Sequence, residues 1–125
     1  MKTNIINQHE EHTKWLNDLA FYKDEIKVMQ KRIEEVNSKN TAKEVAVQIE
    51  HFQNQLLIQD GNASKLIHHV NHDENAIKNS INANPIASDH RLAEDHTEER
   101  QMVESFEKHF KELKTELNAF LSKWM

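Results

Sequence analysis

The sequence predicts an all-α protein, an elongated three-helix bundle with up-down-up topology. The chain of 125 residues contains one glycine and one proline, too few for the turns that a β-sheet protein needs between its strands. Charged residues make up 30% of the chain and aromatic residues 6%, which is typical of amphipathic helices. Apolar residues also recur in steps of three and four along three long segments, the spacing that places them on one helix face.

The first segment predicts a helix over about residues 7–38. Its apolar face runs from Leu19 to Val36. The same spacing extends backwards through Trp15 to His12, so a histidine continues the apolar face near the beginning of the helix. The polar stretch 37–40 ends it.

The second segment predicts a helix over about 41–74, with an apolar face from Val45 to Val70. The pair Asp60–Gly61 lies in its middle, and a glycine in a helix interior costs about 1 kcal/mol relative to alanine. A continuous helix gives three rods of matched length that bury one another along their whole extent. A turn at Asp60–Gly61 instead predicts a four-helix bundle whose outer helices overhang the inner pair. The matched lengths favour the three-helix bundle.

The third segment predicts a helix over about 88–124, after a loop over 73–87. The loop is predicted because these residues are rich in Asn, Asp and Ser and include Asn84–Pro85, although Ile77 and Ile81 also allow a short helical stretch there. The apolar face of the third helix ends at Trp124 and includes His96 and Glu99 near its beginning. The three helices together predict one domain over residues 1–125.

Composition excludes several classes of function. The absence of cysteine excludes disulfides, thiolate metal sites and thiol nucleophiles. The net charge of −5 argues against a nucleic-acid-binding protein. A single glycine cannot supply a phosphate-binding loop, and no Gly-x-Ser-x-Gly elbow is present, so a nucleotide-dependent enzyme or a hydrolase is not expected. No apolar run is long enough to span a membrane, and the first residues lack the apolar core of a signal peptide, which predicts a cytoplasmic location.

The chain contains nine histidines, and the predicted topology brings seven of them to one end of the bundle. His12, His96 and Glu99 occupy core positions of their helices there. Burying an unpaired imidazole or carboxylate is unfavourable, so these groups need partners, and a divalent metal ion is one that all three can share.

The histidines of the second helix add candidate ligands at the same end. His68 and His72 are spaced i and i+4 on one helix face, and His69 with Asp73 repeats this spacing on a neighbouring face. The glycine at position 61 leaves the helix phase of this segment open, so the sequence does not decide which of the two pairs points inward. The predicted metal ligands are therefore His12, His68, His69, His72, His96 and Glu99. Nitrogen and oxygen ligands fit zinc, iron or copper, and an open coordination position would allow redox or oxygen chemistry. Whether the protein is an enzyme is left open.

The alternative hypothesis is a non-catalytic helical interaction or accessory protein. Its histidine cluster would be structural, or would respond to pH between about 6 and 5. Phe21, Val28, Val47 and Ile58 lie off the apolar faces. They predict a lateral surface for a homodimer or a protein partner.

Overall fold

The computed structural model describes residues 5–83 and 85–125, with side chains for 6–79 and 95–125. These residues form three helices and no strand: α1 (Ile5–Lys39), α2 (Lys43–Ala83) and α3 (Pro85–Trp124). α2 runs antiparallel to α1 and α3, and each helix is about 50–60 Å long at 1.5 Å per residue. The predicted all-α, up-down-up three-helix bundle is confirmed.

α2 continues through Asp60–Gly61 without a break, which rules out the four-helix alternative. Leu56 and Ala63, on either side of the glycine, are both fully buried and keep the heptad spacing. The packing of this apolar face outweighs the weak helix propensity of one glycine. Gly61 itself is exposed, and a Cβ at this position would meet no atom within 4 Å.

The predicted loop over 73–87 is wrong, because α2 continues to Ala83 and α3 begins at Pro85. Glu74 and Ile77 are buried at the next two heptad positions after Val70, so the buried face of the helix continues beyond Val70, while Asn71, His72 and Asn75 are exposed. Proline is favourable in the first turn of α3, where its missing N–H has no helical partner to lose.

The core is apolar along most of the bundle and polar at one end. Its apolar part includes Leu19, Ile26 and Ile33 of α1, Leu56 and Leu66 of α2, and Phe110 and Leu117 of α3. Where α1 and α3 begin and α2 ends, buried polar side chains occupy the heptad positions. We call this region the polar end; its buried residues are Gln8, His12, Glu74, His96 and Glu99.

The outer faces of the helices carry scattered apolar residues. Phe21 is 60% exposed, Val28 49%, Val47 62% and Ile58 53%, as the sequence predicts. Within the described ranges, no helix has an apolar stretch long enough to cross a membrane.

Candidate metal centre

Three metal-ligating side chains converge inside the polar end. His12 comes from α1, and His96 and Glu99 lie one turn apart on α3. Their exposed fractions are 2%, 2% and 0%, which confirms the predicted burial. One ligand atom of each lies within 4.8 Å of those of the other two. The helices thus hold two imidazoles and one carboxylate around a common point.

The atoms that face this point lack hydrogen-bond partners. His12 Nε2 lies 2.9 Å from Glu99 Oε1, but the orientation of the two groups does not satisfy hydrogen-bond geometry. His96 Nδ1 and Glu99 Oε2 are likewise buried without a partner. Buried polar atoms are nearly always hydrogen-bonded, and each one left unpaired costs about 1–3 kcal/mol. All the unpaired atoms are of types that coordinate metal ions.

The other nitrogen of each imidazole is held by a carboxylate. His12 Nδ1 donates to Glu74 Oε1 at 3.0 Å, and His96 Nε2 donates to Glu11 Oε1 at 2.9 Å. A carboxylate accepts only, so the outer nitrogen of each ring carries a proton, and in the neutral form of the ring the lone pair of the inner nitrogen faces the common point. Carboxylate–histidine pairs of this kind orient imidazoles in metal sites.

Burial controls the protonation of the three inner groups. It raises the pKa of Glu99 to about 7, helped by the nearby carboxylate of Asp73 and opposed by His12. Burial also lowers the pKa of His96 below its ordinary value, although Glu11 opposes this. For His12, burial lowers the pKa, but the contacts with Glu99 and Glu74 outweigh it and the net pKa is raised. His96 is therefore a neutral imidazole, the ligating form, at neutral pH.

The two outer carboxylates remain ionised. Burial raises the pKa of Glu11, but Arg100 and His96 outweigh it and lower the net pKa. Arg100 Nη2 lies 2.5 Å from Glu11 Oε1, and its Nε donates to Oε2 at 3.2 Å. Glu74 follows the same pattern, since its two imidazole partners on α1 outweigh burial and lower its pKa. Both carboxylates can therefore accept hydrogen bonds from the imidazoles over the neutral pH range.

A second group of ligating side chains adjoins the first and shares Glu99. His69 and Asp73 of α2 bring ligand atoms within 4.8 Å of each other and of Glu99. His69 Nε2 lies 3.5 Å from Glu99 Oε2 and 3.6 Å from Asp73 Oδ2. The side chains of His69 and Asp73 are 44% and 16% exposed, so this group lies between the interior and the surface.

Two predicted ligands lie outside both groups. His68 and His72 are exposed and line a groove of about 460 Å³ beside His69. The nearest carboxylate oxygen to His72 Nδ1 among the described ion pairs is Asp73 Oδ1, at 3.5 Å. Of the six predicted ligands, the structure gathers His12, His96 and Glu99, sets His69 against the other oxygen of Glu99, and leaves His68 and His72 at the rim.

The two carboxylates that hold the imidazoles were not among the residues predicted from the sequence. The burial of Glu74 was predictable, because Glu74 continues the heptad spacing from Val70 to Ile77. It was missed because residues 73–87 were predicted to form a loop. No sequence pattern indicated the role of Glu11, since it lies beside the apolar face of α1 and contacts His96 only across the interface between α1 and α3.

Comparison with known proteins gives no family assignment for this chain. No family model, no curated protein and no solved structure matches it. The interpretation of the polar end therefore rests on the positions and chemistry of its own side chains.

Proposed function

We propose that the protein binds a divalent transition-metal ion through His12, His96 and Glu99. The observation that carries this proposal is the set of buried, unpaired ligand atoms that face one another in the polar end. His12 and Glu99 can pair as ions across 2.9 Å, but this pairing leaves His96 Nδ1 and Glu99 Oε2 buried without a partner. A metal ion offsets the unfavourable burial of all three groups at once.

The ligand chemistry defines the class of ion. Two imidazole nitrogens and one carboxylate oxygen suit zinc, iron or copper, and the chain has no thiolate to select among them. Three protein ligands leave at least one coordination position for water or a small molecule. With iron or copper, such a position would support redox or oxygen chemistry.

Trp15 offers an internal reporter of metal binding. Its ring stacks on His96 with centroids 4.9 Å apart, and the centroid of His12 is 5.7 Å away. Cu²⁺ quenches tryptophan fluorescence at short range. The only other tryptophan, Trp124, lies at the opposite end of α3. We expect Cu²⁺ to quench the Trp124→Phe variant, which keeps Trp15, and to leave the fluorescence of the Trp15→Phe variant almost unchanged.

The decisive test combines metal analysis with thermal unfolding. Untagged protein should retain stoichiometric metal by elemental analysis. At a free Zn²⁺ concentration of about 100 times Kd, binding should raise the free energy of unfolding by about 2.7 kcal/mol. His96→Ala should abolish this gain, while His51→Ala, an exposed histidine on α2, should keep it.

Two results would refute metal binding at this site. The first is wild-type protein with neither bound metal nor a metal-dependent shift in Tm. The second is an equal loss of stability by His96→Ala in Zn²⁺ and in EDTA. Either result would leave the histidine cluster with a structural role.

A helical interaction protein is the second candidate, supported by the exposed apolar residues. Phe21 and Val28 lie seven residues apart on one face of α1, and both are about half exposed or more. Self-association through this face predicts a dimer in sedimentation equilibrium that Val28→Lys dissociates. A monomer at all accessible concentrations would remove the support for a homodimer.

A further inference from the structure

We propose that Glu99 bridges two divalent metal ions, the second being held by His69 and Asp73 of α2. This inference rests on the proposed function, because both ions share the carboxylate of Glu99. One oxygen would serve the buried ion, and the other would serve an ion nearer the surface.

The two oxygens of Glu99 face different imidazoles. Oε1 lies 2.9 Å from His12 Nε2, and Oε2 lies 3.5 Å from His69 Nε2. The side chain is fully buried, yet neither oxygen has a hydrogen-bond partner. An ion bound by Oε1 alone would leave Oε2, which faces His69 instead of His12, unpaired in the interior, which is unfavourable. A second ion at Oε2 satisfies it.

The spacing around His69 fits ligands of one ion. Its Nε2 lies 3.5 Å from Glu99 Oε2 and 3.6 Å from Asp73 Oδ2, too far for good hydrogen bonds. Ligand atoms about 2.1 Å from a shared ion lie about 3.0–3.4 Å apart in octahedral and tetrahedral arrangements. Small side-chain movements would close the difference. Asp73 Oδ2 is itself buried and without a hydrogen bond, so it is available as a ligand.

The local charge also favours a second cation. Asp73, Glu74 and Glu99 cluster at the polar end, and the described residues give none of them an ion pair with lysine or arginine. Their ion-pair partners are imidazoles: Glu74 contacts His9 and His12, and Glu99 contacts His12 and His69. Neutral imidazoles leave these carboxylates without an opposite charge, which is unfavourable at buried positions, and divalent ions would supply positive charge there.

The groove beside His69 gives the second ion access to solvent. It measures about 460 Å³ and is lined by His68, His69, His72, Asp73, Asp95 and Glu98. An ion held by His69, Asp73 and Glu99 would face this groove and complete its coordination with water or a small oxygen-donor ligand. Carboxylate-bridged pairs typically hold their ions about 3.5–4 Å apart, so one ligand can contact both.

Metal stoichiometry tests the bridge. After saturation with Zn²⁺ and removal of the excess, elemental analysis and native mass spectrometry should give two ions per wild-type chain. Asp73→Asn should retain one ion, and His69→Gln serves as a second variant with the same expected result. Asp60→Asn, a change of the same type elsewhere on α2, should retain two ions, and far-UV circular dichroism should show that each variant is helical.

Electron paramagnetic resonance then tests whether the ions share Glu99. The wild-type protein loaded with Cu²⁺ should show spin–spin coupling, including a half-field signal, and Asp73→Asn should show the spectrum of an isolated ion. Two uncoupled ions, or one ion per wild-type chain, would overturn the bridge. In the one-ion case, loss of that ion in His96→Ala would leave the proposed function standing. A wild-type chain that binds no ion would refute both.

Discussion

Replacement of Glu99 by glutamine tests two effects of the buried carboxylate: its cost to the free energy of unfolding without metal, and its proposed contribution to metal binding. Glutamine has nearly the same shape as glutamate but carries no charge. Glu99 is fully buried and faces His12 from α1 and His69 and Asp73 from α2. The substitution therefore removes a buried charge and a proposed metal ligand while preserving the volume of the side chain.

The pKa of Glu99 gives the magnitude. Burial, with a smaller contribution from Asp73, raises it from 4.5 to about 7 in the folded protein. One pKa unit corresponds to about 1.4 kcal/mol, so ionised Glu99 lowers the free energy of unfolding by roughly 3 kcal/mol. Loss of the attraction to His12 offsets part of the gain, and we expect Glu99→Gln without metal to be about 1–3 kcal/mol more stable near pH 8.

The sign of the pH dependence follows from the raised pKa. The unfolded chain releases the proton of Glu99 near pH 4.5, whereas the folded protein holds it until about pH 7. Wild-type stability should therefore fall through this window as pH rises, and the advantage of the variant should grow with it. Urea denaturation in EDTA, followed by circular dichroism from about pH 5 to about pH 8, measures this difference.

Metal should reverse the order of stability. Saturating Zn²⁺ stabilises the wild-type protein, which keeps its carboxylate ligand, more than the variant. If Glu99→Gln is less stable than wild type in EDTA near pH 8, or if the difference does not change with pH, the buried carboxylate is not the source of the penalty.

Three further substitutions test other parts of the structure. Glu74→Gln should weaken metal affinity by about 10–100-fold in calorimetric titration while leaving the ligands in place, because Glu74 orients His12; unchanged affinity would contradict this role. Gly61→Ala should raise the free energy of unfolding by about 1 kcal/mol in urea, since the new Cβ meets no atom within 4 Å and alanine is the better helix former. Leu117→Ala should lower that free energy by about 2–5 kcal/mol, because Leu117 is fully buried in the apolar core, and a smaller loss would show that the core collapses around the cavity.

The sequence predicted the fold well because each helix has one unbroken heptad pattern. In α2, the buried positions continue from Leu56 through Ala63 to Val70 and Ile77, so a single phase describes the whole helix. The end of α2 was mispredicted because the polar composition of 73–87 indicated a loop. Ile77 keeps the heptad phase of α2 and is 3% exposed, so its burial favours the helix despite the polar composition of the segment.

The heptad pattern also predicted the three buried side chains of the site, but it did not predict the residues around them. His12, His96 and Glu99 occupy core positions of their own helices, and position alone predicts their burial. The choice of His69 over His68 and His72 required the phase of α2 beyond Gly61, which the glycine left open. The pairing of His96 with Glu11 depends on the register between α1 and α3, which no pattern within either helix contains.

The order of the proposed ligands along the chain constrains when a metal ion could be bound during synthesis. His12 is made first, Glu74 follows with α2, and His96 and Glu99 come with α3. An emerging α1–α2 hairpin already contains His12 and its carboxylate partner Glu74, so one imidazole can be oriented while the rest of the site is still missing. The nascent hairpin thus presents a single nitrogen ligand for the proposed buried ion, and stable binding of such an ion would require that the ribosome has released enough of α3 to dock.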